Sequence, residues 1–204
     1  MPTDIYHNFA ALAAGERPGA DYRIIACPRP APVAVIAPHG GGIEPGTSEL
    51  AEAIAGQELS LYCFEGLKST GNEALHITST RFDEPACLAI LAHSDTVLAL
   101  HGSAEPDEMV HVGGRDVQLA ERVRAALAEA GFTAKLDDTA DHPGRNAFNI
   151  CNRGRSGRGC QLEISNGLRI ALFEGLTRRQ RQHTTAQFEA FVATVRTVLL
   201  VSSS

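Results

Sequence analysis

The chain has 204 residues, 44% of them hydrophobic and 21% charged, with a formal net charge of −6. That length accommodates one domain with a substantial core, and the balance is ordinary for a soluble globular protein. The acidic charge argues against a general nucleic-acid binder, which presents a basic face, while leaving room for a local basic pocket.

The first expected element is a short helix from Tyr6 to Ala14, followed by a turn at Gly15-Glu16-Arg17-Pro18-Gly19. Tyr22 to Cys27 reads as a strand, broken by Pro28-Arg29-Pro30-Ala31-Pro32, and Val33 to Ala37 as a buried strand. A helix from Ser48 to Ala55 is capped near Thr47 or Ser48 and ended by Gly56. Leu59 to Phe64 is a strand, Ala74 to Thr78 is strand-like, and Glu84 to His93 is a helix with Pro85 in its first turn. A buried strand follows from Thr96 to Leu100, then a short extended piece from Met109 to Val112. Asp116 caps a helix in which Val117, Ala120, Val123, Leu127 and Ala130 recur at helical spacing and Gly131 closes. Phe132 to Leu136 is a strand. From His142 to Gly159 periodicity dissolves, and it returns as a strand from Cys160 to Ile164. A C-terminal helix presents Phe188, Phe191 or Val192, Val195, Val198 and Leu199 on one face. Strands alternating with helices predict an α/β fold, a three-layer α/β/α sandwich around a mixed, largely parallel sheet. Without a repeat or linker, residues 1–204 read as one catalytic domain.

The N-terminus carries Asp4 and neither a basic region nor an apolar stretch of signal length, and no later segment is long enough to span a bilayer. Five cysteines, with no C-x-x-C, signal neither a redox motif nor a thiolate zinc site. A reducing cytoplasm is the expected setting, with cell lysis as a route outward.

The chemistry concentrates in Ala37-Pro38-His39-Gly40-Gly41-Gly42-Ile43-Glu44. A buried strand there ends in an imidazole, three glycines and a carboxylate, at the strand end where open α/β sheets place ligand sites. The strand through Leu100 delivers His101 in the same way. Two histidines and a carboxylate at separate strand ends fit a catalytic zinc site, which takes three protein ligands and keeps one position open. Taken singly, each also reads as a hydrogen-bonded turn residue or, for Glu44, a carboxylate at a helix N-terminus.

Glu163 stands between Leu162 and Ile164, so it points to the opposite face from both. Either it faces the metal as a proton acceptor, or its strand is an edge with one solvated side. Between His142 and Leu162 lie Arg145, Arg153, Arg155 and Arg158 with no acidic residue. Arginine's planar fork suits carboxylate or phosphate, and Asn146, Asn149 and Asn152 interleave to orient amides; a solvated loop is the plainer reading. His76 and His111 are placed to line a cleft, whereas His7, His93, His142 and His183 read as surface or helix residues. Ser103, Ser165 and Cys151 lack the flanking signature of a nucleophile.

With these residues in hand, the chain resembles the poly-γ-glutamate hydrolases of bacteriophages and their bacterial relatives, from about Asp21 through Arg169. The blocks that carry the resemblance are APHGGGIEPGTSELA, YCFEGLKSTGNEALHITSTRFDEP, LALHG and the RNAFNICNRG…CQLEIS region. The resemblance implies a zinc-carboxypeptidase-like fold, zinc held by His39, Glu44 and His101, and Glu163 as general base. The carboxypeptidase pattern is His-x-x-Glu, whereas four residues separate His39 from Glu44 here; a bulge at the glycines would absorb the excess. The implied reaction is hydrolysis of the γ-amide bond of poly-γ-glutamate, with Arg81, Arg145, Asn152, Arg153 and Arg158 contacting substrate. The expected partner is that polymer or another γ-glutamyl substrate, with no nucleic acid, no membrane and a monomeric protein. The alternatives are an amidohydrolase of N-acyl amino acids or cell-wall γ-glutamyl peptides, and a non-catalytic phage replication protein binding nucleic acid through the arginine loop. With three tyrosines, eight phenylalanines and no tryptophan, the chain is poorly equipped for base stacking.

Overall fold

The computed structural model describes residues 4–137 and 143–201; His142 lies outside them. The strands are β1 (Tyr22–Cys27), β2 (Val33–Gly41), β3 (Ser60–Gly66), β4 (Thr96–Gly102), β5 (Val110–Gly114), β6 (Ala134–Leu136) and β7 (Cys160–Ile164). The helices are α1 (Phe9–Gly15), α2 (Thr47–Ala55), α3 (Pro85–Leu91), α4 (Val117–Glu129), α5 (Asn166–Leu172) and α6 (Ala186–Val201). The sheet order is β1-β3-β2-β4-β7-β5-β6. The central strands β3, β2, β4 and β7 run parallel. At the flanks β1 opposes β3 and β5 opposes β7, so the sheet is mixed, as the sequence predicts.

Parallel strands are covered on both faces and therefore read as continuous apolar runs. Every residue of β2 and β3 is buried. On one face Val33, Val35, Ala37, Leu98, Leu100 and Leu162 pack against α2, α4, α5 and α6. On the other, Ala34, Ile36, Tyr62, Phe64, Val97 and Ala99 pack with Leu12 of α1, Cys87, Ile90 and Leu91 of α3, and Leu75, Ile77 and Phe82. Among the described residues, no helix is long and apolar enough to cross a membrane.

Several local expectations change. The N-terminal helix starts at Phe9 because Asn8 caps it, accepting from the Ala11 N–H. Residues 72–75 form a 3₁₀ turn where a strand-like piece was expected from Ala74, entered through Gly71 at φ 77° and tied by Asn72 Nδ2 donating to the Lys68 carbonyl. α5 is new, capped by Ser165, whose Oγ accepts from the Leu168 N–H. β7 is interior, so the solvated-edge reading of Glu163 falls away.

Candidate metal centre

The backbone of β2 decides which way His39 points. Ala37 pairs with Cys63 and Gly40 with Glu65, so three residues of β2 advance against two of β3. Such a bulge reverses side-chain phase. In plain alternation His39 would share the face of Val33, Val35 and Ala37, among the helices. The bulge at Pro38-His39 turns the imidazole to the face of Ala34 and Ile36, where its ring meets Phe82 at 6.2 Å and His76 at 4.1 Å between centroids.

The glycines then reverse the chain. Gly41 has φ 65°, and a Cβ there would lie 2.6 Å from the Gly66 carbonyl oxygen, so only glycine fits. The loop closes as Ile43 N–H donates to Gly40 O at 3.2 Å and Glu44 N–H to His39 O at 2.8 Å. The four intervening residues thus form a closed loop that returns Glu44 to His39. On the neighbouring strands His101 pairs in register with Glu163. Paired residues share a face, here the face of Val97 and Ala99.

His39 Nδ1 lies 3.1 Å from Glu44 Oε1 and 3.2 Å from His101 Nδ1, and His101 Nδ1 lies 3.6 Å from Glu44 Oε2. One ligand atom from each of the three falls within 4.8 Å of the others. Donors about 2.0–2.1 Å from a tetrahedral zinc are about 3.3–3.4 Å apart, so these spacings fit that ion. The hydrogen bonding agrees. His39 Nε2–H donates to the Ile77 carbonyl at 2.8 Å, which leaves the Nδ1 lone pair directed at the carboxylate. Two acceptors this close call for a cation between them. Glu44 Oε2 is oriented by the Gly102 N–H at 2.9 Å, and His101 Nε2 is buried with no hydrogen-bond partner.

His39 and His101 are only 2% and 3% exposed. Burial opposes ionisation of Glu44, but His39 and His101 outweigh it and hold its pKa far below the ordinary carboxylate value. Burial likewise disfavours a charged His101, and the Glu163 and Glu44 carboxylates reverse this, raising its pKa.

A cavity of about 420 Å³ opens over these groups, lined by His39, Glu44, His101 and Glu163 together with His76, Thr78, Ser79, Asn149 and Gln161 among others. Asn149 Nδ2 donates to Gln161 Oε1 at 3.2 Å, and Gln161 Nε2 donates to Glu163 Oε1 at 3.2 Å, which orients the carboxylate. Gln161 escaped the sequence reading, although its place two residues before Glu163 puts it on the same face. His76 does line the cleft, and its Nδ1 bonds Asp4 at 2.7 Å. His111 instead pairs with Glu105 at 3.1 Å and is not among the lining residues.

The five residues expected to contact substrate do not line the cavity. Arg81 is held by Asp4 at 2.8 Å and His7 at 2.8 Å. Asn152 is a buried backbone hub: Nδ2 donates to Gly144 O and Asn146 O, and Oδ1 accepts from the Arg115 and Gly159 N–H groups. Arg153 donates to the Phe82 carbonyl at 3.3 Å. Arg158 precedes the start of β7, and strand rise of about 3.3 Å per residue puts that start about 10 Å from Glu163, at the opposite end of the strand. Arg145 is exposed and donates from Nη2 to the Asp137 carbonyl at 3.4 Å, and the adjoining Gly144 packs against the lining residue Gln161.

The family described as poly-gamma-glutamate hydrolase matches residues 6–194. The UPF0714 protein YndL of Bacillus subtilis (strain 168) is 47% identical over 177 residues, covering 83% of this chain and 67% of YndL. A zinc-free structure of YndL superposes with a TM-score of 0.94 at 41% identity, covering 99% of this chain and 100% of that one. A bacteriophage poly-γ-glutamate hydrolase gives 0.94 at 32% identity, covering 98% of each chain. Sequence and fold agree along nearly the whole length, and the chain belongs to the poly-γ-glutamate hydrolase family.

Proposed function

We propose that this protein is a zinc-dependent hydrolase that cleaves γ-glutamyl amide bonds of poly-γ-glutamate, with His39, Glu44 and His101 as metal ligands and Glu163 as general base. The observation that carries the reading is the convergence of His39 Nδ1, His101 Nδ1 and the Glu44 carboxylate at one end of the cavity that Glu163 also lines. His39, Glu44 and His101 would hold zinc there, and the ion would supply Lewis acidity to the scissile carbonyl and to water.

Glu163 takes a proton from the attacking water and returns it to the leaving amine nitrogen. Gln161, itself held by Asn149, orients the Glu163 carboxylate for this exchange. The lining offers the uncharged polar groups of Thr78, Ser79, Asn149 and Gln161 to the peptide-like backbone of the polymer. Arg145, exposed and next to Gly144, which packs against the lining residue Gln161, is the arginine we assign to an α-carboxylate outside the cavity.

The test is product size from poly-γ-glutamate. Purified protein should shorten the polymer, lose this activity to a chelator and regain it with zinc, while Glu163→Gln stays inactive with zinc bound. Undiminished cleavage after complete zinc removal would sink the zinc mechanism. Failure of the zinc-loaded wild type to shorten the polymer would sink the substrate assignment.

A further inference from the structure

Arg169 of α5 is 4% exposed and has no role in the chemistry above. Its guanidinium nitrogens bond three carbonyls from three separate segments. Nη1 donates to Pro45 O at 2.7 Å, Nη2 to Ser103 O at 2.7 Å and Nε to Ile164 O at 3.1 Å. Pro45 follows Glu44, Ser103 is two residues beyond His101, and Ile164 follows Glu163.

We infer that Arg169 is a positioning residue: one buried guanidinium ties together the strand ends that carry two metal ligands and the general base. The inference rests on the zinc-hydrolase reading. Only arginine supplies donors in a rigid planar fork; a lysine ammonium is a single point on a flexible stem. The fit is close on every side. A Cβ on Gly102 would lie 2.7 Å from Arg169 Cζ, so the guanidinium packs directly against the peptide whose N–H orients Glu44. The positive charge is also within electrostatic reach of Glu44 and Glu163, which offsets part of the cost of burying it. Because Arg169 does not line the cavity, its effect on substrate must pass through the residues it holds.

Arg169→Lys keeps the charge and loses the fork, and Arg169→Met removes both. Each is compared with wild type by zinc affinity against a chromophoric chelator, by melting with and without zinc, and by steady-state kinetics. In a variant that melts cooperatively without metal, zinc affinity should fall about 10- to 100-fold, the range for residues that orient metal ligands. The zinc-induced rise in Tm should shrink with it, and kcat should fall while KM moves less than about twofold. A folded variant with lower metal-free Tm but wild-type zinc affinity and kcat overturns the inference alone. Two variants that both fail to fold assign Arg169 to folding and overturn it as well. A wild type that takes up no zinc overturns the zinc reading and this inference together.

Discussion

At the C-terminal ends of β2 and β4, the donor atoms of His39, Glu44 and His101 converge on one another within 4.8 Å. In the arginine-rich stretch 145–158 Asn149 lines the cavity, while the other polar side chains do not. Asn152 and Arg153 bond backbone groups and Arg155 pairs with Asp95 at 2.8 Å. Both regions are dense in groups able to bind a ligand. They differ in whether the fold already satisfies those groups. A set of acceptors pressed together is incomplete until a cation joins it, whereas a side chain bonded to backbone is already complete. The first arrangement is built to bind; the second holds loops in place.

The sharpest way to break this contrast is at Glu163. Glu163→Gln should lower kcat by about 10²–10⁴-fold, the range for a lost general base, with zinc content unchanged. Next comes Asn152→Ala, which leaves several buried backbone groups unpaired. It should cost about 2–4 kcal/mol in denaturant unfolding, with kcat per folded molecule near wild type. A selective rise in KM with full stability would instead return Asn152 to substrate binding.

Acidification probes the cluster itself. Zinc requires deprotonated ligands, and the pKa of His101 is raised above its ordinary 6.5 in the metal-free protein. Protons therefore compete from above pH 6.5, and apparent zinc affinity should fall steadily as pH drops through that value. An affinity flat from pH 7.5 to 5.5 would contradict the assigned ligands. The smallest effects are at the arginines. Arg145→Ala should raise KM for the polymer about threefold to tenfold, equivalent to about 1 kcal/mol. Arg158→Ala, beyond the N-terminal end of β7, should change kcat and KM less than about twofold, as exposed substitutions away from a site do. Equal effects of the two would erase the distinction between the two arginines.

Much of the site was legible because parallel strands advertise themselves as apolar runs. Val33–Ala37 and Thr96–Leu100 locate His39 and His101 at the strand ends, and the alternation around Glu163 gives its face. What periodicity hides is phase. Period-two counting puts His39 on the face packed against α2, α4, α5 and α6, and the bulge that reverses it follows from the pairing with β3. Arg158 and Glu163 are close in sequence yet at opposite ends of β7, so charge composition alone could not place the arginines. Arg169 left no periodic signal, since its helix opens with Asn166-Gly167, a pair that ordinarily marks a turn. Its partners are carbonyls from β7 and from loops far away in the chain.

The most direct test of the central claim is zinc content by elemental analysis, on wild type and on His39→Ala, both purified without added metal and then offered zinc. The account predicts about one zinc per wild-type chain and its loss in the variant, with the metal-free fold of the variant intact by circular dichroism. A wild type that neither carries nor takes up zinc, or a folded His39→Ala that holds it as tightly, would contradict it.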